Sequence, residues 1–237
     1  EVGLGGRLDA TNVCTPLISI ITNISFEHMA YLGKTLESIA KEKAGIVKKR
    51  GICVTAAKQK KVLEVFKNIC LQRKAKYYKI GNDFKIIRNK DKTFDYHGMS
   101  RNLKRLCLGM PEEHQMENAA LAIAAIDVVA EKGLPVKEEA IRDGLRKTKL
   151  DARMEVLEES PIFILDGAHN PAGIRALCKT LKNDHTYRRM ILIFACLKDK
   201  KYFQMLHTIA PLAYKIILPR LTAGRAQHPD NIKEIAK

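Results

Sequence analysis

Apolar and polar positions along the chain fall into two stretches of alternating strand-like and helix-like segments, with a differently patterned stretch between them. Pro16 to Ile24 (PLISIITNI) is a nearly continuous β-branched run and predicts a strand buried on both faces. Thr35 offers a cap to a helix reaching about Lys48, with Leu36, Ile39, Ala40, Lys43 and Val47 on one face at helical spacing. Gly51 to Ala56 predicts a second strand, Lys58 to Arg73 an amphipathic helix, and Tyr77 to Ile80 a short third strand. Strand, helix, strand, helix, strand predicts a parallel sheet covered by helices.

Residues 82–108 change character. FKIIR, TFDYHG and NLKRLCL predict short antiparallel strands in a meander or hairpin. Pro111 and His114 then introduce a long helix, Gln115 to Lys132, whose nearly all-round apolar content predicts a central, buried position. Gly133 and Pro135 end it, and Val136 to Lys147 predicts one more helix. From Asp151 the strand–helix alternation restarts, with strands at 154–157, 162–165, 190–195 and 215–218. Helices fall at 172–182 and 202–209, and a last helix begins in PDNIKEIAK. The fold class is α/β, with a domain boundary near Leu150 dividing residues 1–150 from 151–237.

Composition adds modest limits. A hydrophobic content of 46% with 29% charged residues suits a globular protein with a sizeable core. No apolar run reaches the ~18 residues of a membrane span, and nothing resembles a signal peptide. The net charge of +16 first suggests a polyanionic partner. Yet the basic residues are interleaved with core positions in segments such as KQKKVLEVFKNICLQRK, without an aromatic platform or basic tail. The charge therefore reads as solvated helix faces with a bias toward anionic small substrates, not as a nucleic-acid surface. The six cysteines form no C-x-x-C pair and sit mostly in apolar runs, the usage of a reducing compartment.

Several polar groups stand where a fold would not ask for them. Glu1-Val2-Gly3-Leu4-Gly5-Gly6-Arg7-Leu8-Asp9 puts carboxylates at both ends of a turn that lets backbone approach a ligand; it reads equally as a tight turn with an Arg7–Asp9 salt bridge. His28 follows a strand at the end where open α/β sheets hold ligands, although a lone histidine is more often packed or merely exposed. Lys43 shares the apolar face of its helix, beside the small residues Ala44 and Gly45. It either snorkels to solvent or is buried enough to become a neutral, reactive amine. Asp166-Gly167-Ala168-His169-Asn170-Pro171 lies between a strand and a helix start, where a polar turn can hold an anion or a ribose, or simply cap the helix. Arg153 lies close enough in sequence to reach it. Gly33-Lys34-Thr35 imitates the end of a phosphate-binding loop, but His28 stands where its first glycine is needed, so Thr35 is assigned to the helix cap.

Taken in order, EVGLGGRLDATN, the segment through FEHM to LGKT, the EKAGIVK helix, HQMENAALAIAA and DGAHNP resemble the folylpolyglutamate synthase and dihydrofolate synthase family of the Mur ligase superfamily. The resemblance spans nearly the whole chain. It implies part of a central parallel-sheet ATPase domain over 1–150, followed by a smaller Rossmann-like glutamate-ligase domain over 151–237. It implies an ATP-dependent amide ligase that joins L-glutamate to a folate, with dihydropteroate left open as a second acceptor, through an acyl phosphate. By position in the motifs, Glu1 and His28 match ligands of Mg2+, and Lys43 matches a lysine that becomes a CO2-derived carbamate. Leu8, Asp9 and Ala10 match a folate-contacting turn. Asn118 matches an adenine contact, Arg153 and Asp166 match nucleotide contacts, and His169 matches the place where glutamate is handled. The resemblance further implies a cytoplasmic monomer, with no membrane and no nucleic acid as partner.

Glu27 stands where the family has aspartate before the histidine. The family's phosphate-binding loop and a hydroxyl ligand of the metal precede the EVGLGGRLD motif, and its last strands and helices follow the final residues seen here. The expectation is a fragment that binds nucleotide poorly and does not catalyse alone. A catalytically inactive remnant or binding module, another Mur-type ligase and a basic nucleic-acid binder are the alternative readings.

Overall fold

In the computed structural model, residues 1–110, 112–184 and 187–234 are described, so Pro111 and the last three residues of PDNIKEIAK lie outside the described residues. The chain forms two compact units: Glu1–Gly109 with His114–Thr148, and Met110–Glu113 with Lys149–Lys237.

The first unit contains strand β1 (Ser19–Ile21), the short helix α1 (Met29–Leu32), helix α2 (Leu36–Ala44), β2 (Ile52–Thr55), α3 (Lys60–Gln72) and β3 (Lys76–Lys79). The strands pair in parallel in the order β1-β2-β3, with Ile20 opposite Val54 and Val54 opposite Tyr78. Successive side chains of a strand face opposite ways, and β2 uses both directions. Cys53 enters the core formed with α2 and α3 (Ile39, Ala40, Val62, Phe66), whereas Ile52 and Val54 enter a second core on the other face. The strand buried on both faces is therefore β2. The expected 16–24 strand shortens to three laddered residues with Ser19 and Ile21 buried, while the layer over Ile52 and Val54 leaves Ile20 40% exposed.

That second layer is the meander β4 (Lys85–Arg88), β5 (Phe94–His97) and β6 (Asn102–Leu106), antiparallel as expected, together with the long helix α4 (Glu113–Ala130). Phe84, Phe94, Tyr96 and Leu106 pack there with Leu121, Ile123 and Ala124 of α4. One acid is buried among them: Asp127 of α4 is 1% exposed, accepts from the Tyr96 hydroxyl at 3.1 Å and pairs with Arg101 Nε at 2.5 Å. Helix α5 (Glu138–Lys147) follows and buries Ile141. Its Arg142 reaches back to the Lys104 carbonyl of β6.

The second unit opens with β7 (Glu155–Glu159) and β8 (Ile162–Leu165), which pair antiparallel. Strand–helix alternation does not restart at once, because only Ser160 and Pro161 separate these strands, far too few residues for a crossover to a parallel partner. Helix α6 (Pro171–Asp184), β9 (Ile191–Ile193), α7 (Tyr202–Ile209), β10 (Lys215–Ile217) and α8 (Pro229–Lys233) follow, with β9 and β10 parallel. Ile174, Cys178, Phe194, Met205, Leu206 and Ile209 form the core of this unit. All six cysteines are free. Among the described residues no helix is long and apolar enough to cross a membrane.

Candidate functional site

The glycine-rich turn is organised by Asp9. Its Oδ2 accepts from the Gly3 and Leu4 amides, both at 3.0 Å. Its Oδ1 accepts from the Thr11 amide at 3.0 Å and the Thr11 hydroxyl at 2.6 Å, capping a 3-10 turn over Ala10–Val13. Arg7 does not pair with Asp9. It turns to Glu42 of α2, with Nε 3.1 Å from Oε1, because four donors of the turn already surround the Asp9 carboxylate. Leu8, next to this stapled acid, stays 80% exposed and presents an apolar side chain to solvent.

Those hydrogen bonds, led by the Thr11 hydroxyl and then the Leu4, Thr11 and Gly3 amides, hold the Asp9 carboxyl at a pKa of about 2 instead of 3.8. A lowered folded-state pKa gives a contribution to stability that is complete above the unfolded value. The order of the turn should thus persist down to about pH 4 and be lost as the pH falls toward 2. A carbon NMR titration of Asp9 checks this. A midpoint near the ordinary carboxylate value would show that the staple is not formed.

The turn is seated on the last turn of α2. The Arg7 amide donates to the Glu42 carbonyl at 2.9 Å. Gly6 has φ +150° and lies so close that a Cβ there would stand 2.9 Å from the Lys43 carbonyl oxygen. From the other side, a Cβ at Gly45 would stand 2.4 Å from Arg7 Cα. Gly45 has ordinary helical backbone (φ −54°), so only this close approach demands glycine. Gly45→Ala should cost about 1–3 kcal/mol by forcing turn and helix apart. Urea unfolding measures it, and an unchanged midpoint would mean the turn is not seated there.

Lys43 lies on that same last turn of α2. The helix starts as expected at Thr35, whose hydroxyl accepts from the Ser38 amide while Ser38 Oγ accepts from the Thr35 amide. It ends at Ala44, not near Lys48, and the chain leaves it through turns over 45–47 in which the Gly45, Ile46 and Val47 amides bond back to Glu42, Lys43 and Ala44. Ile39, Ala40 and Ala44 are buried, but Lys43 is only half-buried, at the rim of their face.

His28 caps α1 in the left-handed conformation (φ 49°, ψ 38°), which costs a non-glycine residue about 1–2 kcal/mol. Its Nε2 is 3.9 Å from Glu27 Oε1, and its side chain is 39% exposed. Among the described residues no three His, Cys, Asp or Glu side chains are grouped to hold a metal ion. Glu1 and His28 therefore offer at most a carboxylate and an imidazole. A magnesium ion commonly takes one or two protein carboxylates and completes its shell with phosphate and water oxygens, without a closed all-protein cage.

Asn118 is half-buried on α4, where its Nδ2 donates to Gln115 Oε1 at 2.9 Å. This contact fixes the amide and leaves Oδ1 as its acceptor.

The second unit gathers Arg153, Asp166 and His169 about Gly167. Asp166 accepts from the Met154 amide at 3.0 Å and the Ala168 amide at 2.8 Å, and the Gly167 amide donates to the Ala152 carbonyl at 2.7 Å. Ala152 and Met154, on either side of Arg153, are both left-handed (φ 53° and 45°). Non-glycine residues held this way mark a backbone that its surroundings over-determine. The result lays the Arg153 guanidinium against Gly167, where a Cβ would come within 2.6 Å of Nη1. His169 Nδ1 is 2.9 Å from the Gly167 carbonyl oxygen. A carbonyl can only accept, so in this contact Nδ1 carries the proton. Asn170 Oδ1 accepts from the Gly173 amide and caps α6, so the turn is capped as well as shaped around Arg153.

A parallel-sheet unit with a glycine-rich turn on its second helix, followed by a smaller α/β unit with a DGAHNP turn, defines a class. Residues 1–126 match the Mur ligase middle domain and residues 152–237 the Mur ligase glutamate ligase domain; the chain belongs to the Mur ligase family. Within that family it is similar to the dihydrofolate synthase/folylpolyglutamate synthase of Bacillus subtilis (strain 168), 35% identical over 222 residues, which take in 91% of this chain and 51% of that protein. Among solved structures it is similar to Mycobacterium tuberculosis folylpolyglutamate synthase complexed with ADP and AMPPCP. There the TM-score is 0.91 at 30% identity, covering all of this chain and 55% of that one. It is also similar to Escherichia coli FolC in complex with DHPP and ADP, with TM-score 0.90 at 28% identity over 100% of this chain and 55% of that one. The chain spans about half the length of the curated relatives it matches.

Proposed function

We propose that the protein is an ATP-dependent amide ligase that adds L-glutamate to a folate, with dihydropteroate as a second acceptor. The observation that carries this reading is the seating of the Leu8–Asp9–Ala10 turn on the helix end that bears Lys43. It joins a candidate acceptor-binding turn and a candidate catalytic lysine in one rigid piece. The similarity to folylpolyglutamate synthases bound to ADP supports it along the whole chain.

In this reading a carboxylate oxygen of the folate attacks the γ-phosphorus of ATP and ADP departs, leaving an acyl phosphate. The amine of glutamate then attacks the acyl carbon, and phosphate leaves with the former carboxylate oxygen. Catalysis of such steps is chiefly positioning and charge neutralisation. Leu8 gives the acceptor an exposed apolar contact, and Asp9 shapes the turn. Glu1 and His28 would hold Mg2+, which supplies charge neutralisation at the phosphates. Asn118 Oδ1 suits the exocyclic amine of adenine, since Nδ2 is engaged by Gln115. Arg153 offers a planar guanidinium to phosphate, and Asp166 holds the backbone beside it while keeping lone pairs for a ribose hydroxyl. His169, held beside the Gly167 carbonyl, would take up the proton released by the glutamate amine.

Lys43 would first lose one proton to become a neutral amine and then react with CO2, forming an N–C bond and releasing a second proton, so that a half-buried cation becomes an anion. The first unit then supplies groups for the folate, the metal and adenine, and the second supplies groups for the nucleotide's phosphate and ribose and for glutamate. The free cysteines favour a reducing, cytoplasmic setting. The test is mass spectrometry of a folate incubated with the full-length protein, MgATP and L-glutamate. A product longer by glutamyl residues, formed only with ATP, is expected; ATP-independent or absent lengthening would refute the reading.

A further inference from the structure

The proposed chemistry needs the acceptor turn and the Lys43 helix end in a fixed relation, and the contacts that set it come from residues with no role assigned so far. Asn12, just past the turn, donates through Nδ2 to the Arg7 carbonyl at 3.0 Å and the Gly45 carbonyl at 3.4 Å. Its own Oδ1 and backbone carbonyl accept from Lys48 Nζ, the former at 2.8 Å. On the far side of Gly45, Arg73 at the end of α3 points Nη1 at the Gly45 carbonyl at 3.0 Å, and also at the Ala44 and Val47 carbonyls. The Ala44 and Gly45 carbonyls lie at the end of α2 and that of Val47 just beyond it, where the regular helical pattern of amide donors has stopped. The Gly45 carbonyl thus receives one donor from the turn and one from α3, two residues beyond Lys43.

We infer that Asn12 is a positioning residue for the ligase reaction. Joined to Lys48 and meeting Arg73 on the Gly45 carbonyl, it holds the Leu8–Asp9–Ala10 turn in register with Lys43. The inference rests on the function proposed above and deepens it. Glu42 fastens the turn at Arg7, before the three acceptor-contacting residues, and Asn12 fastens it after them. With both ends tied, the segment between has little freedom to shift along the helix. Asn12 touches neither reactant in this account and acts through the turn alone. A displacement of the order of 1 Å at a reacting group is enough to lower a rate by roughly 10²-fold.

The experiment uses the full-length protein with Asn12→Ala, Asn12→Asp and Lys48→Met. Asn12→Asp keeps the acceptors for Lys48 but loses both Nδ2 donors, so it separates the Gly45 tie from the Lys48 tie. Asn12→Ala and Asn12→Asp are each expected to lower kcat/KM for the folate by roughly 10–100-fold while KM for ATP and glutamate stays within about twofold. A purely structural role would reduce the active fraction and lower kcat with every KM unchanged, which overturns the inference. So does an Asn12→Asp variant that behaves as wild type.

Amide exchange gives a readout independent of turnover. In Asn12→Ala and Lys48→Met the Arg7 and Asp9 amides should exchange at least about tenfold faster, with the Tyr96 amide in the meander unchanged. Equal exchange in all proteins would overturn the inference even if the enzyme is a ligase. If the wild-type protein adds no glutamate, the functional reading fails by itself, and exchange alone still decides whether Asn12 holds the turn.

Discussion

Lys43→Ala should abolish ATP-dependent glutamate addition by the full-length protein, a loss of at least roughly 10²–10³-fold, the scale of removing one fixed electrostatic partner from a reaction centre. The fold gives little reason for such a loss by unfolding. Lys43 is half-buried on the last turn of α2, and the buried contacts of that turn come from Ala40 and Ala44. Its removal forfeits a cation at a helix C-terminus, worth about 0.3–1 kcal/mol, and alanine's higher helix propensity returns part of that. The melting temperature should therefore move little while activity disappears. A short carboxylic acid added to the variant should restore part of the rate by placing an anion where the carbamate would stand. Undiminished turnover in Lys43→Ala, or loss matched by unfolding, would remove the carbamate from the account.

The largest effect on stability is expected at Asp127. Asp127→Ala would leave the Arg101 guanidinium and the Tyr96 hydroxyl without their carboxylate in a site where Asp127 is 1% exposed. Breaking a buried pair from one side costs about 3–5 kcal/mol, because the remaining charge stays desolvated. Burial first, and then the neighbouring Asp127, hold the Tyr96 hydroxyl protonated above the usual phenol range. It therefore stays a donor that needs this acceptor. Asp127→Asn keeps an acceptor for Tyr96 and should lose less. Urea unfolding of both variants decides the matter, and a loss below about 1 kcal/mol for Asp127→Ala would show that the network does not hold α4 to the meander. The functional consequence runs through α4, which also carries Asn118.

Much of this architecture was legible in the residue pattern, for identifiable reasons. The β2 and α3 segments declared themselves because a short β-branched run and a 3.6-residue stripe are each dictated by burial, and Thr35 because a cap needs only its own side chain. The limits of β1 were not legible, since PLISIITNI does not say which of its faces will be covered. Nor was the β7–β8 hairpin, although the two-residue spacing at Ser160-Pro161 carried the signal. In the site, the glycine-rich turn and the DGAHNP turn were visible as motifs. The partner of Arg7 was not, because Glu42 is thirty-five positions away and Asp9 is two. The parts played by Asn12 and Arg73 were hidden for the same reason: they meet on one backbone carbonyl, at Gly45, that no side-chain pattern announces, and Lys48 joins them only through Asn12. The last residue of EVGLGGRLDATN, a polar end to a turn motif, was the one available hint.

The central claim is that a folate carboxylate is activated by phosphoryl transfer before the amide forms. The most direct measurement supplies the full-length protein with a folate whose terminal carboxylate carries oxygen-18, together with MgATP and L-glutamate, and analyses the released phosphate. Passage through an acyl phosphate predicts one labelled oxygen in the phosphate for each amide bond made. Unlabelled phosphate accompanying amide formation, or labelled folate recovered unchanged while ATP is consumed, would contradict it.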